Sequence, residues 1–313
     1  MSKNNKSQIS IVIPCYNEEG NVKLIYDSVS SVLSEYNIEI VFVDDNSKDN
    51  TLNIIQDLAD KDPNVKYVSF SRNFGHQSAL RAGLQYASGD CVISMDGDMQ
   101  HPPELLPKMI QKWKEGYDIV YTMRNDIENI PFLKRVTSSL FYKLINSLSD
   151  IEINEGSADF RLLDKRIVKV LVNDITEYHL FYRGLISWIG YKQAGIEYIP
   201  NKRYSGKTKY SIGKMINFAI DGITSFSIKP LKLAILLGLF LSVLSGLYGL
   251  YALYMAIFTE ETVKGWTSVL LSILFIGGVN MILLGIIGEY VGKLYIQSKK
   301  RPYFLVKKTN IDN

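Results

Sequence analysis

The chain has 313 residues, with 35 Lys and Arg against 32 Asp and Glu, a formal net charge of +3 and a mean hydropathy of +0.02. So small a positive charge leaves no electrostatic footprint for nucleic acid, and no nucleic-acid partner is expected. A mean hydropathy near zero over this length averages a polar region of roughly 230 residues with an apolar remainder. Residues 1–8 (MSKNNKSQ) are polar and lead straight into a strand, without the apolar core of a signal peptide. Cys15 and Cys91 fall in or beside strands, and both are expected to be reduced packing residues.

In chain order, residues 9–14 (ISIVIP) read as a first strand. Residues 17–36 read as a helix with Val22, Ile25, Val29 and Val32 at helical spacing. Residues 38–43 form a second strand ending in Asp44 and Asp45, followed by a helix over 51–60. Residues 65–70 are a third strand, 77–88 a third helix stopped by Gly89, and 91–95 a fourth strand. A fifth strand over 118–122 leads to Arg124. Strands alternating with helices predict a mostly parallel sheet with right-handed crossovers. Ligands of such sheets sit beyond the carboxyl ends of the strands. Tyr16 to Glu18, Asp44, Asp45, Asp96 and Asp98 all fall there, and packing alone does not explain acids gathered at one edge.

The segment Asp96-Gly97-Asp98 ends an apolar run. On extended backbone, residues i and i+2 point to one side, and two carboxylates there repel unless a cation lies between them. Mg²⁺ or Mn²⁺ takes such oxygens together with substrate phosphates. Taken alone, the same triplet also fits an ordinary acidic turn.

The far end differs. No charged residue occurs from Leu233 to Thr259, or from Trp266 to Gly288. Each stretch exceeds the ~20 residues that cross a bilayer core. The connector, residues 260–265 (EETVKG), is short and polar, so the two spans form a hairpin with both flanks on one side. Lys229, Lys232, Lys293, Lys299, Lys300 and Arg301 flank it, against Lys264 alone in the connector. The positive-inside rule then predicts a cytoplasmic N-terminal domain and tail. The expected domains are a catalytic unit over 1–210, an interfacial helix over 211–230, the hairpin over 231–292 and a tail over 293–313.

Residues 13–18 (IPCYNE), 43–47 (VDDNS), 72–75 (RNFG), 96–104 (DGDMQHPPE), 157–161 (SADFR) and 206–210 (GKTKY) occur in that order. The set resembles the inverting family 2 glycosyltransferases of GT-A fold. More narrowly, it is similar to polyprenyl-phosphate glycosyltransferases related to dolichyl-phosphate mannose synthase, in the bacterial branch with a C-terminal membrane hairpin. The resemblance runs from about residue 9 to about residue 303.

The resemblance implies roles residue by residue. Pro14, Tyr16 and Glu18 match the motif that cradles the nucleotide base and ribose; Tyr16 fits either base stacking or a packed turn. Asp45, with Asp44 beside it, matches the acid near the base. Asp96, Gly97 and Asp98 match the diphosphate and metal site, with Gln100 as a further metal contact, and imply Mg²⁺ or Mn²⁺ as cofactor. Arg203 and Lys209 match a basic loop over the donor diphosphate. Arg124, Arg135 and Ser139 match positions that hold the acceptor phosphate, for which the planar Arg fork is suited. Residues 131–145 carry Phe132, Val136, Leu140 and Leu144 on one helical face beside basic residues. That pattern fits a helix at a membrane interface or an amphipathic core helix.

Asp159 matches the family's catalytic base. A phosphate monoester, however, has a second pKa of about 6 and is already largely dianionic at neutral pH, so Asp159 fits an orienting or charge-stabilising role equally well. His101 reads as a turn residue. His76 and His179 read as structural, and Arg183 has no role from the sequence.

The function implied is inverting transfer of one sugar from a nucleotide-diphosphate sugar, UDP-glucose or another UDP-hexose first, to undecaprenyl phosphate at the cytoplasmic face of a bacterial inner membrane. A processive polysaccharide synthase is the first alternative, but its Q-x-x-R-W motif and extra spans are missing from this sequence. An inert membrane scaffold is the second. Oligomeric state is left open by the sequence; some relatives of this kind assemble as tetramers through their membrane region, so a homo-oligomer is one assembly the resemblance allows.

Overall fold

A computed structural model describes residues 7–124, 147, 157–178, 180–200, 223–258 and 265–311. Its centre is an eight-stranded sheet. The strands are β1 (Gln8–Cys15), β2 (Asn37–Asp44), β3 (Val65–Phe70), β4 (Cys91–Ser94), β5 (Ile119–Arg124), β6 (Ser157–Asp164), β7 (Gln193–Tyr198) and β8 (Val306–Thr309). Their order is β7-β5-β6-β4-β1-β2-β3-β8. The pairs β4–β1, β1–β2, β2–β3 and β5–β7 are parallel, whereas β6 runs antiparallel to β4 and β5, and β8 antiparallel to β3. This mostly parallel sheet with helices on both faces is the expected GT-A arrangement.

The alternation of side chains along β1 fixes the two layers. Ile11 and Ile13 face a core with Ile25 and Val29 of α1 (Val22–Val32), Ile55 of α2 (Thr51–Lys61) and Met109 and Trp113 of α4 (Leu106–Lys114). Val12 faces the other core, with Ala79, Leu80 and Leu84 of α3 (His76–Tyr86), Ile167 of α5 (Lys165–Lys169) and Leu185 of α6 (Tyr182–Trp188). α1 is shorter than the helix predicted over 17–36: residues 16–21 form the loop that builds the site, and residues 33–36 form the turn into β2. Both cysteines are free and buried, as expected.

Register decides which residues meet. β1 to β4 are parallel, so their carboxyl ends share one edge. β6 enters at that same edge because it runs the other way. Ser94, the last residue of β4, pairs with Arg161; Asp96 follows two residues after the one and Asp159 stands two residues before the other. β5 ends at this edge in Arg124.

Two long helices follow, α7 (Lys229–Phe258) and α8 (Trp266–Ser298). Each contains a stretch long and apolar enough to cross a membrane, 23 and 27 residues, with none of it buried in the protein. Ile235 and Met281, both 72% exposed, illustrate apolar surface that water would penalise and hydrocarbon would accept. The ends near the sheet are tied down: the Tyr290 hydroxyl donates to Ser227 O at 2.7 Å, and Lys293 Nζ to Thr224 Oγ1 at 2.5 Å. Residues 293–313, expected simply as a tail, contain β8. The chain thus leaves the hairpin and returns to the edge of the catalytic sheet, where Asn310 Oδ1 accepts from Tyr67 N at 2.8 Å.

Candidate active site

The first layer of the site is a pair of stitched loops. The loop after β1 and the loop after β2 exchange polar contacts in both directions. Asn17 N donates to Ser47 Oγ at 3.0 Å and Glu18 N to Thr51 Oγ1 at 2.8 Å. In return, Lys48 N donates to Asn17 Oδ1 at 2.8 Å and Asn50 N to Glu19 Oε2 at 2.9 Å. Asn17 and Asn46 adopt left-handed backbone, φ 56° and 58°, which Asn tolerates better than most residues. The Glu18 carboxylate accepts from Asn21 Nδ2 at 2.6 Å. The two loops at the edge where a nucleotide is expected are therefore cross-linked by hydrogen bonds within the protein itself.

Asp44 and Asp45 build this edge. Asp44 accepts from Ser47 N at 3.0 Å and from Ser69 Oγ at 2.9 Å, and is buried. Asp45 accepts from Phe74 N at 2.6 Å and Gly75 N at 2.9 Å, joining β2 to the start of α3. Burial pushes the Asp45 carboxyl above its ordinary value, while those two backbone donors oppose the shift. Gly97 lies close under the first loop: a Cβ there would stand 3.1 Å from Pro14 O. A side chain at this position would push the two backbones apart by a few tenths of an ångström.

Asp96 is half-exposed and held from two sides. His76 Nε2, from the start of α3, is 3.0 Å from its Oδ1. The Asp96 backbone N–H donates to His101 Nδ1 at 3.0 Å. His101 is buried and stacks on Phe160 with centroids 4.9 Å apart. Burial lowers its pKa, which favours the neutral ring that this acceptor role requires. Asp98 Oδ1 accepts from Gln100 N at 3.1 Å, closing a turn through Met99 at φ 62°.

Two hard carboxylates on one turn suit a divalent cation whose remaining positions go to diphosphate oxygens and water. Among the described residues no set of three His, Cys, Asp or Glu side chains is gathered for a metal. Such a donor set needs substrate to complete it. The Gln100 amide oxygen accepts from Arg124 at 2.7 Å, and Arg124 Nε also donates to the Tyr198 hydroxyl at 3.2 Å.

The strongest electrostatic feature surrounds Asp159. Arg183 Nε donates to its Oδ1 at 3.1 Å and another guanidinium nitrogen to its Oδ2 at 3.1 Å. Arg161, buried two residues along the same strand face, reaches Oδ1 at 3.4 Å. Burial alone would raise the Asp159 pKa, but Arg183 and then Arg161 outweigh it and hold the carboxyl far below the usual range. Burial draws Arg161 down to about 10, so it too is charged at neutral pH. The carboxylate is therefore held in its charged form.

Of the residues expected from sequence, Pro14, Tyr16, Glu18, Asp44, Asp45, Asp96, Gly97, Asp98, Gln100, Arg124 and Asp159 lie along this one edge. Arg135, Ser139, Arg203, Lys209 and the helix over 131–145 lie outside the described residues, as does His179. Sequence reasoning missed His76, Arg161 and Arg183. For His76 the signal was its place just after β3, at the same carboxyl edge as the acids.

The glycosyl transferase family 2 model matches residues 10–172, and the GtrB C-terminal hairpin model matches residues 229–294. The glycosyltransferase YkcC of Bacillus subtilis is 42% identical over 304 residues, 96% of this chain and 94% of that protein. The prophage-derived bactoprenol glucosyl transferase of Shigella flexneri is 42% identical over 308 residues, 98% of this chain and 99% of that one. Among solved structures, glucosyl-3-phosphoglycerate synthase from Mycobacterium tuberculosis shares 19% identity over 70% of this chain and 79% of its own, with a TM-score of 0.47. The chain belongs to glycosyl transferase family 2 and carries a GtrB-type hairpin at its C-terminal end.

Proposed function

We propose that this enzyme transfers one glucose, with inversion, from UDP-glucose to a polyprenyl phosphate, undecaprenyl phosphate in a bacterial inner membrane, with the catalytic domain on the cytoplasmic side. The observation that carries this reading is the joining of the two parts in one chain. Several relatives that align with nearly the whole of this chain, hairpin region included, are named bactoprenol glucosyl transferases.

Each group at the edge has a place in the reaction. The stitched loops with Tyr16 and Glu18 receive the nucleoside. Asp96 and Asp98 hold Mg²⁺ or Mn²⁺, which when bound neutralises the diphosphate leaving group. Arg203 and Lys209 close over that diphosphate. Arg124, Arg135 and Ser139 hold the acceptor phosphate, whose charge must stay at the membrane surface because hydrocarbon rejects it. The acceptor is already anionic and attacks the anomeric carbon without giving up a proton. Asp159 therefore serves by position: an ionised carboxylate, fixed by Arg183 and Arg161, that orients the sugar.

The test of the donor is a panel of radiolabelled nucleotide sugars offered with undecaprenyl phosphate in detergent. UDP-glucose is expected to label the lipid fastest. Preferential labelling from GDP-mannose or another UDP-hexose would replace the sugar, and no lipid label from any donor would remove the reading.

A further inference from the structure

Between α5 and α6 a π-helical turn (Val170–Asp174) gives way to irregular chain, and a membrane helix supplies partners for the backbone at Thr176 and Tyr178. Gln297, at the last turn of α8, uses both halves of its amide. Its Oε1 accepts from Tyr178 N at 2.6 Å, and its Nε2 donates to Thr176 O at 2.7 Å. Tyr178 also stacks on Tyr303, which follows α8, with centroids 6.1 Å apart. Tyr303 in turn lies under the guanidinium of Arg81, 3.9 Å from its centroid. Arg81 is buried in α3 and donates to the carbonyls of Leu171, Val172 and Ile175 at 3.0, 2.7 and 3.2 Å. The stretch from Leu171 to Tyr178 is thus held by α3 from within and by the end of the hairpin from outside.

That stretch leads into α6, where Arg183 grips Asp159. The start of α6 is fixed to α3 by Tyr182 N donating to Gln77 Oε1 at 3.3 Å, beside His76 on Asp96. On its other side Phe226, just before α7, packs so closely on Gly184 that a Cβ there would stand 2.5 Å from its ring. The start of the hairpin thus touches α6 through Phe226, and its end touches the segment that leads into α6 through Gln297 and Tyr303.

From this we infer that Gln297 is a positioning residue for the transfer reaction: the cytoplasmic end of the second membrane helix sets the Arg183–Asp159 pair. The inference rests on the reading of Asp159 as a site carboxylate given above. A bidentate Arg pair is sensitive to small displacements, and misplacement of about 1 Å can cost on the order of 100-fold in rate. Gln297 touches neither substrate nor the reacting atoms. It acts by satisfying two backbone groups that otherwise have to find water or move.

The experiment uses the full chain in detergent with saturating donor and acceptor. Gln297→Leu is expected to lower kcat about tenfold while donor KM and UDP affinity stay within about twofold. Gln297→Glu keeps the acceptor for Tyr178 but turns an oxygen toward the Thr176 carbonyl, and should fall between Leu and wild type. Arg183→Lys loses the bidentate fork and lowers kcat by itself. Because both act through one pair, Gln297→Leu added to Arg183→Lys should cost little more than Arg183→Lys alone. Wild-type kcat in Gln297→Leu, or losses that multiply in full in the double variant, would overturn the inference. If Gln297→Leu does not fold, Gln297→Glu carries the same comparison, and a wild-type kcat there has the same meaning. Asp159→Asn separates the two readings: a wild-type rate in that variant removes the role of Asp159, whereas an inactive Asp159→Asn beside a fully active Gln297→Leu removes the positioning role only.

Discussion

Arg183 meets both carboxylate oxygens of Asp159, each at 3.1 Å, with Arg161 adding a third contact at 3.4 Å. Two guanidiniums on one buried carboxylate leave it ionised under all ordinary conditions. The family position that is usually described as a base is, in this chain, the anchor of a charge cluster.

A pH profile follows from that cluster. A carboxyl with a depressed folded pKa contributes fully above the unfolded value near ~3.9 and loses its contribution only as pH falls through the lower folded one. Between pH 8 and pH 5, Asp159 therefore takes up no proton. The acid limb of kcat/KM for the acceptor should fall with one proton at about pH 6, the second ionisation of a phosphate monoester. Measured on the wild-type enzyme, a second one-proton acid limb between pH 5 and 8 would count against this assignment.

The metal prediction concerns Asp98. Asp98→Ala should abolish the divalent-cation dependence of UDP binding, seen by titration calorimetry with and without Mn²⁺, and reduce transfer at least about 100-fold. Metal-dependent UDP affinity equal to wild type in this variant would place the cation elsewhere.

The site was legible where chemistry and strand ends coincide. Asp96, Asp98, Asp44 and Asp45 each follow an apolar β-branched run, and a parallel sheet brings such ends together whatever the rest of the chain does. The partners of those acids were not legible. His76, Arg161 and Arg183 come from separate elements, and only the β4–β6 register sets Asp159 level with Asp96. The Arg124–Gln100 contact likewise depends on β5 ending beside the turn after β4. In the fold, β8 was missed because Val306–Thr309 is four residues long, two of them lysines, and its pairing partner β3 lies more than 230 residues earlier.

Gly83 gives a prediction whose sign is decided by packing. Helix propensity favours Ala over Gly in the middle of α3 by about 1 kcal/mol. At this position, however, a Cβ would stand 2.0 Å from Val12 Cγ1 in the buried face of β1. Overpacking of a close-fitted core costs roughly 1–3 kcal/mol. Gly83→Ala should therefore lower the apparent Tm in detergent. An unchanged or raised Tm would mean that α3 shifts freely on the sheet.

The hairpin topology can be read by labelling. Cys15 and Cys91 are replaced by Ala, and one cysteine is placed at Thr262 in the connector. Because β8 returns to the catalytic sheet, both flanks of the hairpin share a side, and Thr262→Cys should react with an impermeant thiol reagent in intact cells. Labelling at Ser2→Cys but not at Thr262→Cys would invert the orientation.

The central claim is transfer of a single sugar to a lipid phosphate, and product analysis tests it most directly. Purified enzyme is given UDP-glucose, undecaprenyl phosphate and Mg²⁺ or Mn²⁺, and the organic phase is examined by mass spectrometry. The account predicts undecaprenyl phosphate carrying the mass of one hexose, formed only when the lipid is present and lost in Asp159→Asn. A water-soluble polymer, a lipid bearing several hexoses, or no acceptor-dependent product would contradict it.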